Sequence, residues 1–115
     1  MDATHTGLKP SVIKAIRSVL AQFPDIETAI LYGSRAMGNY KNGSDIDLTL
    51  CLKPGTAPSL ALLFDVQEAL DDLDLIYSID LSLYPQIQNP YLRDHIQRVG
   101  KVFYPSGQNT PPTHL

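Results

Sequence analysis

Three aspartates occupy positions that strand chemistry disfavours. Asp45 and Asp47 flank Ile46 in the run Ser44-Asp45-Ile46-Asp47-Leu48-Thr49-Leu50, and Asp80 lies within Ser78-Ile79-Asp80-Leu81-Ser82-Leu83. Asp neither packs on a pleated surface nor suits β geometry, so something must compensate. Both runs alternate with period two, which puts Asp45 and Asp47 on one face of a strand, opposite Ile46, Leu48 and Leu50. Asp80 occupies the equivalent polar face of a second strand. If the two strands are neighbours, three carboxylates converge. Two unit charges about 4 Å apart repel by about 4 kcal/mol at an effective dielectric near 20, and three such groups call for a cation. Hard oxygen donors select Mg²⁺ or Mn²⁺ over Zn²⁺, and a small protein ligand set leaves positions open for phosphate oxygens and water. The alternative is a solvated polar face with Asp80 as an unrelated surface acid.

The segment just upstream bears on that choice. Leu31-Tyr32-Gly33-Ser34 reads as a strand running into the start of a helix. Such an end presents free backbone N–H groups to an anion, and Gly33 would let a phosphate approach the backbone closely. Taken alone, Gly33-Ser34 reads more readily as an ordinary turn with a serine cap. Arg35 has two readings, a bidentate fork on phosphate or a salt bridge with no part in the chemistry. Lys41 reads as a solvated loop residue. His5, His95 and His114 are too dispersed to form a metal set, with His95 on a charged helix face. Cys51, the only cysteine, reads as a buried inert thiol. Tyr77, Tyr84, Tyr91 and Tyr104 read as packing residues and not as a base-stacking platform.

The elements that must position these residues follow from periodicity. From Pro10, the residues Val12, Ile13, Ile16, Val19, Leu20 and Phe23 recur at helical spacing up to Pro24. Thr28 to Tyr32 predicts a buried strand, and residues 34–44 a short helix and a turn at Asn42-Gly43. Asp45 to Leu52 predicts a half-buried strand and Ser59 to Leu73 a second amphipathic helix. A third strand starts at Ser78. Asn89 is a helix N-cap with Pro90 behind it, and Leu92, Ile96 and Val99 form the stripe of a short helix before Gly100. Lys101 to Tyr104 fits an edge strand ended by Pro105. The order predicts a mixed α/β domain of the α+β class: a small mixed β-sheet of three to four strands flanked by helices. Its expected extent is residues 9–105, between a loose arm at 1–8 and a tail at 106–115.

Composition narrows the function classes. A chain of 115 residues has room for one core and none for a second, substrate-binding domain. An apolar fraction of 43% and a charged fraction of 18% exclude disorder and collagen-like classes. No apolar run reaches the roughly 18 residues of a membrane span, and the N-terminus lacks the basic and apolar regions of a signal peptide, so a cytoplasmic location is expected. A net charge of −3, with nine scattered basic residues, disfavours action on long nucleic acids.

Taken together, Gly33-Ser34-Arg35-Ala36-Met37-Gly38, then Ser44-Asp45-Ile46-Asp47-Leu48, then Asp80 in a later strand resemble the DNA polymerase β-like nucleotidyltransferase superfamily. Its motif is Gly-Ser followed some ten residues on by Asp-x-Asp, with a third acid downstream. The resemblance covers roughly residues 28–84, and the chain's brevity is similar to the minimal nucleotidyltransferase branch. It implies that Asp45 and Asp47 bind two divalent metals, Mg²⁺ or Mn²⁺. It further implies that Asp80 joins the metal nearer the acceptor and helps activate its hydroxyl, and that Gly33 and Ser34 hold the phosphates of ATP. Minimal nucleotidyltransferases are typically paired with a small helical HEPN-type protein. The resemblance therefore implies an antitoxin that adenylylates a tyrosine of a HEPN toxin. Two further readings stay open: a catalytic subunit modifying a small hydroxylated molecule in a pocket completed by the partner, and a non-catalytic module that masks its partner by contact.

Overall fold

The computed structural model describes residues 6–105. Helix α1 spans Pro10–Leu20, with Pro10 in its first turn and Ile13, Ile16, Val19 and Leu20 buried along one stripe. It leads into β1 (Ile26–Tyr32), the one-turn helix α2 (Ser34–Met37) and β2 (Ile46–Leu52). Then come α3 (Leu60–Asp71), β3 (Ile79–Leu83), a 3-10 turn at Tyr84–Gln86, α4 (Pro90–Val99) and β4 (Lys101–Tyr104). Two caps are the expected short polar side chains: Ser59 Oγ accepts from Leu62 N–H, and Asn89 Oδ1 from Tyr91 and Leu92 N–H. Element ends differ slightly from periodicity, with α1 stopping at Leu20 and the strands beginning at Ile46 and Ile79.

The strands form one mixed sheet in the order β3-β2-β1-β4. β1 is antiparallel to both β2 and β4, whereas β2 and β3 are parallel, with α3 in the chain between them. A parallel pair needs such a crossover, and its placement is what carries Asp80 alongside β2. One face of the sheet carries Leu31, Ile46, Leu48, Leu50, Leu81 and Leu83, which pack with the apolar stripes of α1 and α3. The opposite face holds Ile30, Tyr32 and Cys51, clustered with Tyr84 and with Ile96 of α4.

That second cluster corrects the expected half-buried character of β2. Thr49 and Cys51 are as buried as Leu48 and Leu50. Only the end of the face that holds the aspartates stays open: Asp47 is half-buried and Asp45 exposed. Burial pushes the Cys51 thiol up to about 11, with the Glu27 carboxylate adding to the shift, which suits an inert core residue.

The expected arm is also corrected where it can be followed. Thr6 and Leu8 are buried, Leu8 belongs to the main core, and Gly7 sits against the Tyr40 ring. Leu8 has the burial of a core residue although no periodicity precedes it. The rest of the arm, residues 1–5, and the expected tail, residues 106–115, lie outside the described residues. Among the described residues no helix is long and apolar enough to cross a membrane.

Candidate active site

Register decides what the aspartates can do. Asp47 is directly opposite Asp80 in the parallel β2–β3 pair and opposite Tyr32 in the antiparallel β1–β2 pair. The row Tyr32, Asp47, Asp80 therefore crosses three strands on one face, at the edge where β1 gives way to Gly33. One row deeper, Ser82 Oγ donates to Thr49 Oγ1 at 2.9 Å, so the hydroxyls beneath the carboxylates are satisfied within the sheet. Asp45 immediately precedes β2.

The electrostatics of the cluster centre on Asp47. Burial raises the Asp47 carboxyl above its ordinary range, the Asp80 and then the Asp45 carboxylates push it further, and His95 alone acts in the opposite sense. The Tyr32 hydroxyl is raised in turn, by burial first, then by Asp47 and Asp80 against a hydrogen bond with Ser82. No three His, Cys, Asp or Glu side chains among the described residues are gathered tightly enough to hold an ion as they stand. The side chains of Asp45 and Asp80 are exposed, so rotamer change is open to both. An all-oxygen donor set whose central member is destabilised by its neighbours fits a hard divalent cation.

Gly33 joins the turn after β1 to this cluster. Its φ of 74° and ψ of −157° lie in a region open essentially to glycine alone, and a Cβ there would collide with Asp47 Oδ2. The missing side chain is thus required twice, by the backbone and by the close carboxylate. Gly33 C=O accepts from Ala36 and Met37 N–H, which starts α2, and Gly38 in the left-handed region ends it. Ser34 is the first residue of α2 and is half-buried beside the same cluster.

Arg35 does not take the place expected for a phosphate fork. It is 1% exposed. Nε and Nη2 donate to Ser44 C=O at 3.1 and 2.9 Å, and Nη1 donates to Thr6 C=O at 2.8 Å. The guanidinium also lies over the rings of Tyr40 and Tyr77, at 5.1 and 4.8 Å from their centroids. Its bidentate grip falls on a backbone carbonyl, one residue before Asp45, and it ties α2 to the segments that lead into β2 and β3. Among the described residues its donors go to backbone carbonyls and not to a carboxylate.

His95 is the residue that sequence reasoning passed over. Its Nε2 accepts from Gly33 N–H at 3.2 Å, and its ring meets Tyr32 edge-on, 6.2 Å between centroids and 81° between planes. A signal was present: His95 is three residues after Leu92 and four before Val99, the spacing of the buried stripe of α4. Dispersion of the three histidines in sequence hid its position in space.

The family model for polymerase beta nucleotidyltransferases matches residues 14–109, which take in Gly33, Ser34, all three aspartates and every strand. The chain belongs to the polymerase β nucleotidyltransferase family. Solved structures share the fold of this nucleotidyltransferase domain. A chain in a crystal structure of a toxin–antitoxin with AMP-PNP aligns with a TM-score of 0.64 at 20% identity, covering 80% of this chain and 72% of that one. A second belongs to a complex of a tri-AMPylated Shewanella oneidensis HEPN toxin with its MNT antitoxin, with a TM-score of 0.61 at 17% identity and coverage of 84% and 72%. A third, from a toxin–antitoxin complex named MntA-HepT, aligns with a TM-score of 0.60 at 17% identity and the same coverage. No protein of curated function matches significantly.

Proposed function

We propose that this nucleotidyltransferase moves AMP from ATP to a tyrosine hydroxyl of a HEPN-type toxin and thereby serves as its antitoxin. The observation that carries the reading is the register that sets Asp47 against Asp80, with Gly33 pressed on the Asp47 carboxylate. Carboxylates and a glycine-led turn meet at one open end of the strands, which is the arrangement in-line transfer at an α-phosphate requires. The acceptor and the antitoxin role draw support from the solved relatives described as a toxin–antitoxin with AMP-PNP and as an AMPylated HEPN toxin with its MNT antitoxin.

In this mechanism Asp45, Asp47 and Asp80 are the residues that would hold two Mg²⁺ ions, and such ions would polarise the attacking oxygen and offset charge on the leaving pyrophosphate. The chain's own residues do the rest. Gly33 and Ser34 hold the triphosphate through backbone N–H groups and the Ser34 hydroxyl. The exposed Asp80 side chain receives the acceptor's hydroxyl proton. The tyrosine oxygen then bonds to the α-phosphorus, the bond from that phosphorus to the bridging oxygen breaks, and pyrophosphate leaves with the electron pair. Thr49 and Ser82 bond one another and stay out of the reaction.

The test is transfer of label to the co-expressed neighbouring protein. Label in the α-phosphate of ATP should reach that partner, and label in the γ-phosphate should leave as pyrophosphate. Transfer of the γ label, or of neither label to any acceptor, contradicts nucleotidyl transfer. Label arriving on a small hydroxylated compound instead moves the acceptor from protein to small molecule.

A further inference from the structure

α4 brings an imidazole to the backbone group that the nucleotide needs. We propose that His95 is an internal competitor for nucleotide: its Nε2 occupies the Gly33 N–H, and a phosphate takes that N–H only as His95 lets go. The inference rests on the reading of Gly33-Ser34 as the phosphate-holding turn.

Three observations support it. The Gly33 N–H to Nε2 distance is 3.2 Å, so the donor a phosphate would engage is already committed within the protein. Gly33 cannot readily redirect that N–H, because its backbone angles are set where only glycine fits and the Asp47 carboxylate fills the place a Cβ would take. His95 can move more easily: it is a half-buried side chain on a helix surface, with the Tyr32 ring edge-on to it. An imidazole that accepts at Nε2 presents a lone pair there, and a lone pair facing an incoming phosphate oxygen is repulsive. The two acceptors therefore exclude one another at a single N–H. The net worth of one such hydrogen bond corresponds to a factor of about 2 to 10 in affinity.

The experiment measures calorimetric affinity for Mg²⁺ with AMP-PNP in the full chain and in His95→Ala, His95→Gln and Asp45→Asn. His95→Ala should bind about two- to tenfold more tightly than the parent. His95→Gln should stay nearer the parent than His95→Ala does, because its Oε1 reaches a position close to that of Nε2 and can accept the same bond. Affinity that is unchanged or weaker in His95→Ala, or an equal gain in both His95 variants, overturns the proposal while leaving the transferase reading intact. A parent that binds no AMP-PNP, or an Asp45→Asn variant that binds like the parent, instead removes the transferase reading and the competitor with it. Should His95→Ala fail to fold, the parent alone decides. Isotope-labelled Nε2 of His95 should lose its hydrogen-bonded resonance position on addition of Mg²⁺ and AMP-PNP, and a resonance that stays put overturns the proposal.

Discussion

At the scale of single residues, Asp47 bears the electrostatic cost of the site. Its carboxyl is raised by burial and by Asp80 and Asp45, so folding favours its protonated form. The stability this brings is complete below the ordinary carboxylate range, near pH 4, and is lost as pH rises through the elevated folded value. Metal-free Asp47→Asn should accordingly melt above the parent at neutral pH, and the difference should close as pH falls below about 4. Equal melting temperatures at neutral pH would mean that the carboxylate carries no such penalty. Asp80 has a different part. Exposed and opposite Asp47, it is the base in the proposed reaction. Asp80→Asn should keep nucleotide affinity and lose roughly 10² to 10⁴ in transfer rate, as removal of a placed catalytic base typically does. Transfer near the parental rate would take Asp80 out of the mechanism.

At the scale of elements, the aspartates were legible because alternation in β2 and β3 assigns each one a face before any pairing is known. The parallel register that makes Asp47 and Asp80 neighbours was not, since strand partners are set by the α3 crossover and not by local pattern. Burial of Thr49 and Cys51 was hidden for a related reason: alternation reports one core face and is silent on a helix returning over the other. Arg35 misled because a guanidinium fork suits phosphate and backbone carbonyl alike, and only the fold shows that Ser44 and Thr6 take its donors. It holds α2 against the start of β2, one residue from Asp45. Arg35→Met should cost about 2 to 4 kcal/mol in denaturant unfolding, because the carbonyls of Thr6 and Ser44 lose their charge-assisted donors in the interior. A loss below about 0.5 kcal/mol, the range of ordinary surface substitutions, would show that this clamp is dispensable.

At the scale of the whole molecule, one sheet divides the labour: α1 and α3 pack with the face that makes the core, and α4 closes all but the carboxylate end of the other. Ligands that bind only the folded state stabilise it by mass action, so Mg²⁺ with AMP-PNP should raise the parent's melting temperature more than either alone. Asp45→Asn should lose that joint increment, and an undiminished increment would place the ions and nucleotide elsewhere. The central claim concerns a second protein, so its most direct test is the intact mass of the proposed HEPN-type partner, co-expressed and incubated with this chain, Mg²⁺ and ATP. The mass should rise by one or more adenylyl units on tyrosine, and the Asp45→Asn chain should leave it unchanged. A partner that keeps its mass yet is inhibited equally by the parent and by Asp45→Asn would contradict the account and make the chain an antitoxin by contact alone.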